Sequence, residues 1–307
     1  MPFVEEPLLI LDGACGTTLQ GMDLSPSLWQ GREGCNEYLN LSSPESIVQL
    51  HRSFVEAGAM VLETNTFGAS SLVLAEYGLQ DRVAEINAAA VTHARSALQG
   101  EPNRYVAGSV GPTTKLPSLG HVSVDELAAS LREQMEALLE AGVDALIIET
   151  CQDLLQVKTA LVACFDLLGE RHQTLPVMVS VTIEQQGTML VGTDIAAVVA
   201  TLDPFPIFSL GLNCATGPTD MESHIRYLSR NWRGRISCVP NQGLPQIVDG
   251  QTHYPLLPEE FSALMKRFVE EYGVSVVGGC CGSSPGHIRA LVSNLQGVQP
   301  LSRELSL

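Results

Sequence analysis

A single-domain (β/α)8 barrel is the fold this sequence predicts, on three observations. Eight short apolar runs recur along the chain, helix-like stretches separate them, and polar or glycine-rich clusters follow most of the runs. The barrel is expected over residues 1–295. Residues 296–307, QGVQPLSRELSL at their core, follow the last helical pattern and read as a C-terminal tail or the start of an interdomain linker.

The runs are Leu8–Asp12, Ala59–Glu63, Tyr105–Ser109, Ala145–Glu149, Pro176–Thr182, Ile207–Asn213, Arg235–Pro240 and Val274–Gly278. Most are continuously apolar, as parallel strands buried on both faces require. Between them, Ser43-Pro44-Glu45 opens a helix with a cap residue, a proline and an acid in the first turn. Ser123–Asp125 opens another, which continues through LAASLREQMEALLEAG and stops at Gly142. Pro258-Glu259-Glu260 starts a helix running to Tyr272. Alternation of this kind implies right-handed βαβ crossovers, and eight strands in a chain of this length fit a barrel better than an open sheet. A doubly wound sheet shares the same alternation, because periodicity does not report closure.

With 307 residues, 45% of them hydrophobic, the chain can bury a large core. A net charge of −17 repels phosphate backbones, so no nucleic-acid partner is expected. The start, MPFVEEPLLILDG, is acidic with a short apolar run, unlike a signal peptide, and nothing approaches the roughly 18 apolar residues of a membrane span. The expectation is a cytoplasmic protein without a membrane partner. In that reducing compartment the eight cysteines are candidates for metal binding, catalysis or plain burial. Cys164 and Cys238 sit in apolar runs and read as small hydrophobes.

The clusters that follow the runs would converge on one face of a barrel, the face where active sites are built. The sharpest is Gly278-Gly279-Cys280-Cys281-Gly282. Adjacent side chains of a regular strand point to opposite faces, so flanking glycines are needed to turn both thiols towards one ion. Cys214, at the end of another run, supplies a third thiol. Three protein ligands with an open position describe catalytic zinc, and soft sulfur ligands favour zinc over magnesium or calcium. Cys15, Cys35 and Cys151 compete as ligands on weaker support. The Asp12–Thr17 turn offers successive N–H groups to a carboxylate. Glu149 ends an otherwise apolar run and needs a cation, either a substrate ammonium or a nearby arginine; Asp12 has the same two readings. The histidines carry no such pattern: His51 and His93 fall in helical stretches, His121, His172, His224 and His253 in or beside loops, and His287 in the opening turn of the last helix.

In order, LDGACGTTLQ, ETNTFGAS, GSVGPT, IIETCQD, GLNCATGP, PNQGLP and GGCCGSSPGHI resemble the motifs of the homocysteine S-methyltransferase (homocysteine-binding domain) family. The pattern is most similar to the N-terminal module of cobalamin-dependent methionine synthase. The resemblance implies zinc held by Cys214, Cys280 and Cys281, with Asn241 as a ligand displaced by substrate and no catalytic side chain beyond the metal site. It implies a homocysteine pocket formed by Asp12, Gly13, Ala14, Cys15, Gly16, Thr17, Asn65 and Glu149. Cys15 stands where many relatives carry methionine. The methyl donor it implies is methylcobalamin, on a cobalamin-binding domain that accompanies a folate-binding domain, or on a separate corrinoid protein. Stand-alone transfer from S-methylmethionine, S-adenosylmethionine or betaine, and a non-catalytic zinc or thiol-binding module, are the alternatives.

Overall fold

Eight parallel strands form a ring in the computed structural model, which describes residues 2–244, 246–248 and 251–303. They are β1 (Leu9–Ile10), β2 (Val61–Glu63), β3 (Tyr105–Val110), β4 (Ala145–Cys151), β5 (Val177–Val181), β6 (Ser209–Asn213), β7 (Arg235–Val239) and β8 (Val274–Val277). From β2 to β8 each strand pairs with the next in chain order, and β8 pairs with β1. The ring closes where Leu11 bridges Val61: the Met60 N–H donates to Ile10 O (2.7 Å) and the Asp12 N–H to Val61 O (3.0 Å). A doubly wound sheet would reverse strand order and leave two edges. Consecutive order with closure is a (β/α)8 barrel.

The outer helices are α1 (Pro44–Ala57), α2 (Val83–Leu98), α3 (Val124–Ala141), α4 (Leu154–Glu170), α5 (Ile195–Leu202), α6 (Pro218–Asn231), α7 (Pro258–Tyr272) and α8 (Pro285–Asn294). Local chemistry sets their ends. The Ser123 hydroxyl accepts from the Glu126 N–H while the Glu126 carboxylate accepts from the Ser123 N–H, and α3 stops at Gly142 with φ +88°. Ser43 precedes α1 as expected but caps no N–H; its hydroxyl pairs with that of Ser46 (2.7 Å). His224 lies inside α6 rather than beside a loop, because Pro218 opens that helix directly after the Asn213–Gly217 cluster. His253 lies beside a loop as expected, ending an antiparallel hairpin, Gln246–Val248 with Gln251–His253, whose arms are too short to register as apolar runs.

Period-two alternation decides what fills the ring. Val61, Tyr105, Ala107, Ala145, Ile147 and Met178 point inwards and pack with Phe3 into an apolar floor. The same face continues upwards as Glu63 on β2, Ser109 on β3, Glu149 on β4 and Ser180 on β5, so the upper half of the interior is polar. The opposite face, with Leu146, Ile148 and Val179, packs under the helices. On β6 the inward position is Gly211, whose place admits no Cβ because Ser237 O of β7 occupies it. Strands β6 and β7, which lead to the cysteine loops, therefore lie unusually close.

The lower end is sealed by the N-terminus. Phe3 meets Tyr105 edge-on (5.2 Å between ring centres), and the Arg235 guanidinium donates to Val4 O (2.8 Å) and Glu6 O (2.6 Å). Residues 296–303 run back across the barrel, with the Leu301 N–H on Val269 O and Arg303 donating to Trp232 O (2.7 Å). Residues 304–307 lie outside the described residues. Among the described residues no helix is long and apolar enough to cross a membrane.

Candidate active site

Strand β8 ends at Val277, so the backbone has left the pleat before Cys280 and Cys281 arrive. Gly282, at φ +81°, completes the turn, and a Cβ there would meet the Tyr254 ring at 2.5 Å. The Cys280 N–H donates to Pro240 O (2.8 Å) and the Gln242 N–H to Cys281 O (3.0 Å), lacing this turn to the loop after β7. Cys214, after β6, adopts φ +59° and Ala215 φ +56°, a left-handed turn rare for side-chain-bearing residues. The two turns bring Cys214, Cys280 and Cys281 together, all three Sγ atoms within 4.8 Å of one another. Among the described residues this is the one group of three or more such side chains placed to hold a metal ion. The competing thiols bond elsewhere: Cys15 to Asn65 Oδ1, Cys35 to Glu37 Oε2 and Cys151 to Glu149 O.

The donor chemistry fits a soft divalent cation. Hydrogen bonds from Cys214, then Cys280, push the Cys281 thiol down to about 3, with a further one from Tyr254. Cys280 is pushed up by its bonds to Cys214 and Cys281 and by burial. The thiols hydrogen-bond one another, and a dication would let all three ionise. Asn241, on the loop laced to Cys280 and Cys281, is buried with its Oδ1 free of any hydrogen bond among the described residues. Three grouped sulfurs are a donor set that fits zinc better than magnesium or calcium.

Beside the thiols opens a cavity of about 440 Å³. Its wall holds Asp12, Gly13, Ala14, Cys15, Gly16, Thr17, Asn65 and Glu149 along with Cys214, Cys280 and Cys281. Asn241 stands outside this lining. The wall also carries Glu37 and Glu63, and among the described residues it contains no arginine, lysine or histidine. Glu149 accepts from the Ser109 hydroxyl (2.6 Å), the Thr150 hydroxyl (3.2 Å) and Asn213 Nδ2 (3.2 Å), and Asp12 Oδ2 accepts from the Glu63 N–H (3.2 Å). Among the described residues no arginine lines the cavity beside Glu149. Asn65 lines the cavity, but its Nδ2 is engaged by Asn36 O (2.8 Å) and Asn40 Oδ1 (3.1 Å), so it braces the wall. Sequence reasoning passed over Glu37, Glu63, Ser109, Asn213 and Tyr254. Glu63 and Asn213 close apolar runs and were visible as such. Glu37 had no local signal, since what holds its carboxylate at the wall is the distant Gly68 N–H (2.6 Å), alongside the neighbouring Cys35 thiol.

Burial, and then mutual repulsion, hold Glu63 well above the usual carboxylate range; burial does the same for Asp12 and also raises Glu149. A carboxyl whose folded pKa is raised contributes stability that is fully present below its unfolded value of about 4 and is lost as pH rises through the folded value. Glu63→Gln is therefore expected to raise the melting temperature of the ligand-free protein more at pH 8 than at pH 5, by about 2–4 °C. Calorimetry at the two pH values checks this; an equal shift at both would contradict it.

The sequence pattern of the homocysteine S-methyltransferases matches residues 9–295. The methionine synthase of Mycobacterium tuberculosis is 40% identical over 307 residues, covering 99% of this chain and 26% of its own length. That of Mycobacterium leprae is 40% identical over 290 residues, covering 93% and 24%. The chain thus spans about a quarter of the length of these relatives. Among solved structures, the metallated form of the homocysteine methyltransferase MmuM from Escherichia coli superposes with a TM-score of 0.75 at 26% identity, covering 95% of this chain and 98% of that one. Motifs, barrel and similarity agree: the chain belongs to the homocysteine S-methyltransferase family.

Proposed function

We propose that this chain transfers a methyl group to homocysteine, giving methionine, with zinc held by Cys214, Cys280 and Cys281 and with Asn241 as the fourth ligand until substrate arrives. The observation that carries the reading is the meeting of three thiols with a carboxylate-walled cavity that, among the described residues, has no basic side chain. Such a wall selects a ligand with an ammonium group, and the thiols select one with sulfur.

Glu149 and Asp12 take the substrate ammonium, Glu149 held in place by Ser109, Thr150 and Asn213. The loop Gly13–Thr17 faces the substrate carboxylate with main-chain N–H groups where the short helix Cys15–Gln20 begins without a side-chain cap. Thr17 ties that loop to the cysteine turn by accepting from the Gly282 N–H (3.2 Å). Zinc supplies thiol ionisation, because a free thiol with a pKa near 8.5 offers little thiolate at neutral pH. The chain's own residues then fix the substrate between carboxylates and thiols, with its sulfur towards the open face.

The donor we favour is methylcobalamin, on a cobalamin-binding domain or a separate corrinoid protein, with folate-binding machinery elsewhere. Motif resemblance and the methionine synthase relatives support it. Zinc-loaded and chelator-stripped protein, assayed for methionine from homocysteine and free methylcobalamin, test the proposal. Turnover by the zinc-loaded form alone is expected. Turnover with S-methylmethionine, S-adenosylmethionine or betaine instead would replace the donor, and bound zinc with no turnover from any donor would favour a non-catalytic module.

A further inference from the structure

One carboxamide stands between the thiols and the carboxylates. Asn213 ends β6 directly before Cys214 and is buried. Its Oδ1 accepts from the Thr150 N–H (2.9 Å) and from the Ser180 hydroxyl (2.8 Å). A backbone N–H can only donate, so the amide oxygen must face Thr150 and Nδ2 must face away. There Nδ2 donates to Glu149 Oε2 (3.2 Å) and Thr150 Oγ1 (2.7 Å). Thr150 is itself held at φ +55°, a conformation costly for a β-branched residue that persists only where surrounding contacts fix it. The bond from its N–H to Asn213 is such a contact.

We propose that Asn213 is a positioning residue for ammonium recognition: its amide, oriented by Thr150 and Ser180, aims the Glu149 carboxylate at the amino group of the substrate. This rests on the homocysteine reading of the cavity. Although Asn213 adjoins Cys214 in the chain, its side chain acts on the carboxylate and leaves thiol capture to the cysteines. Ser180, absent from the cavity wall, acts only through Asn213.

Calorimetric binding to the zinc-loaded protein separates these roles, using homocysteine and γ-mercaptobutyrate, which lacks only the amino group. Asn213→Ala is expected to weaken homocysteine binding about tenfold or more, and γ-mercaptobutyrate much less, with zinc content unchanged. In a Glu149→Gln background the same substitution is expected to add nothing for homocysteine, because the two side chains act as one unit. Ser180→Ala is expected to give a smaller loss, roughly two- to tenfold, with the same ligand selectivity, and it decides the matter if Asn213→Ala does not fold. Equal losses for both ligands, or full additivity with Glu149→Gln, would overturn the positioning role. Failure of the unsubstituted protein to bind homocysteine at all would instead overturn the reading of the cavity.

Discussion

Cys280→Ala is expected to leave a folded barrel that holds almost no zinc and makes almost no methionine. The backbone of the cysteine turn survives the change, because the Cys280 N–H still reaches Pro240 O and Cys280 O still accepts from the Ser283 N–H (3.0 Å). The lost thiol removes one of the three sulfurs grouped within 4.8 Å of one another. Disturbing a group that merely orients a metal ligand costs about 10–100-fold in affinity or activity, and removing a ligand outright should cost at least about 100-fold. Metal analysis, circular dichroism and the methionine assay together check this. Near-full zinc and activity in a folded variant would show that the ligand set lies elsewhere.

Glu149→Gln is expected to raise KM for homocysteine about 10–100-fold while zinc content stays that of the unsubstituted protein. The amide keeps the shape and can still accept from Ser109, but it loses the charge that a buried ammonium needs, and hydrogen bonds to charged groups are worth about 1.5–3 kcal/mol each. The wall offers Asp12, Glu37 and Glu63 as remaining acids, which bounds the loss. An unchanged KM would remove Glu149 from substrate binding. A loss of zinc would place its effect on the metal site.

The barrel was legible because parallel strands buried on both faces need unbroken apolar runs, and all eight runs found their strands within a few residues. The α3 boundaries were legible because Ser123, Glu126 and Gly142 carry capping chemistry in their own side chains or lack of one. Closure was not legible, since it rests on pairing between Leu11 and Val61, fifty residues apart. In the site, Cys280 and Cys281 announced themselves through flanking glycines. The residues that hold Glu149 did not: Ser109, Thr150 and Asn213 are ordinary polar residues until the ring turns the ends of β3, β4 and β6 towards one interior. Residues 296–303 looked like a free tail because Leu301 and Arg303 find their partners only on the finished barrel.

The most direct test of the central claim, that these three thiols hold a zinc ion which receives the substrate sulfur, is zinc-edge X-ray absorption of the purified chain with and without homocysteine. The expected result is three sulfur neighbours and a lighter atom in the substrate-free protein, changing to four sulfur neighbours when homocysteine binds. A first shell that homocysteine leaves unchanged, or one without three sulfurs at the outset, would contradict it.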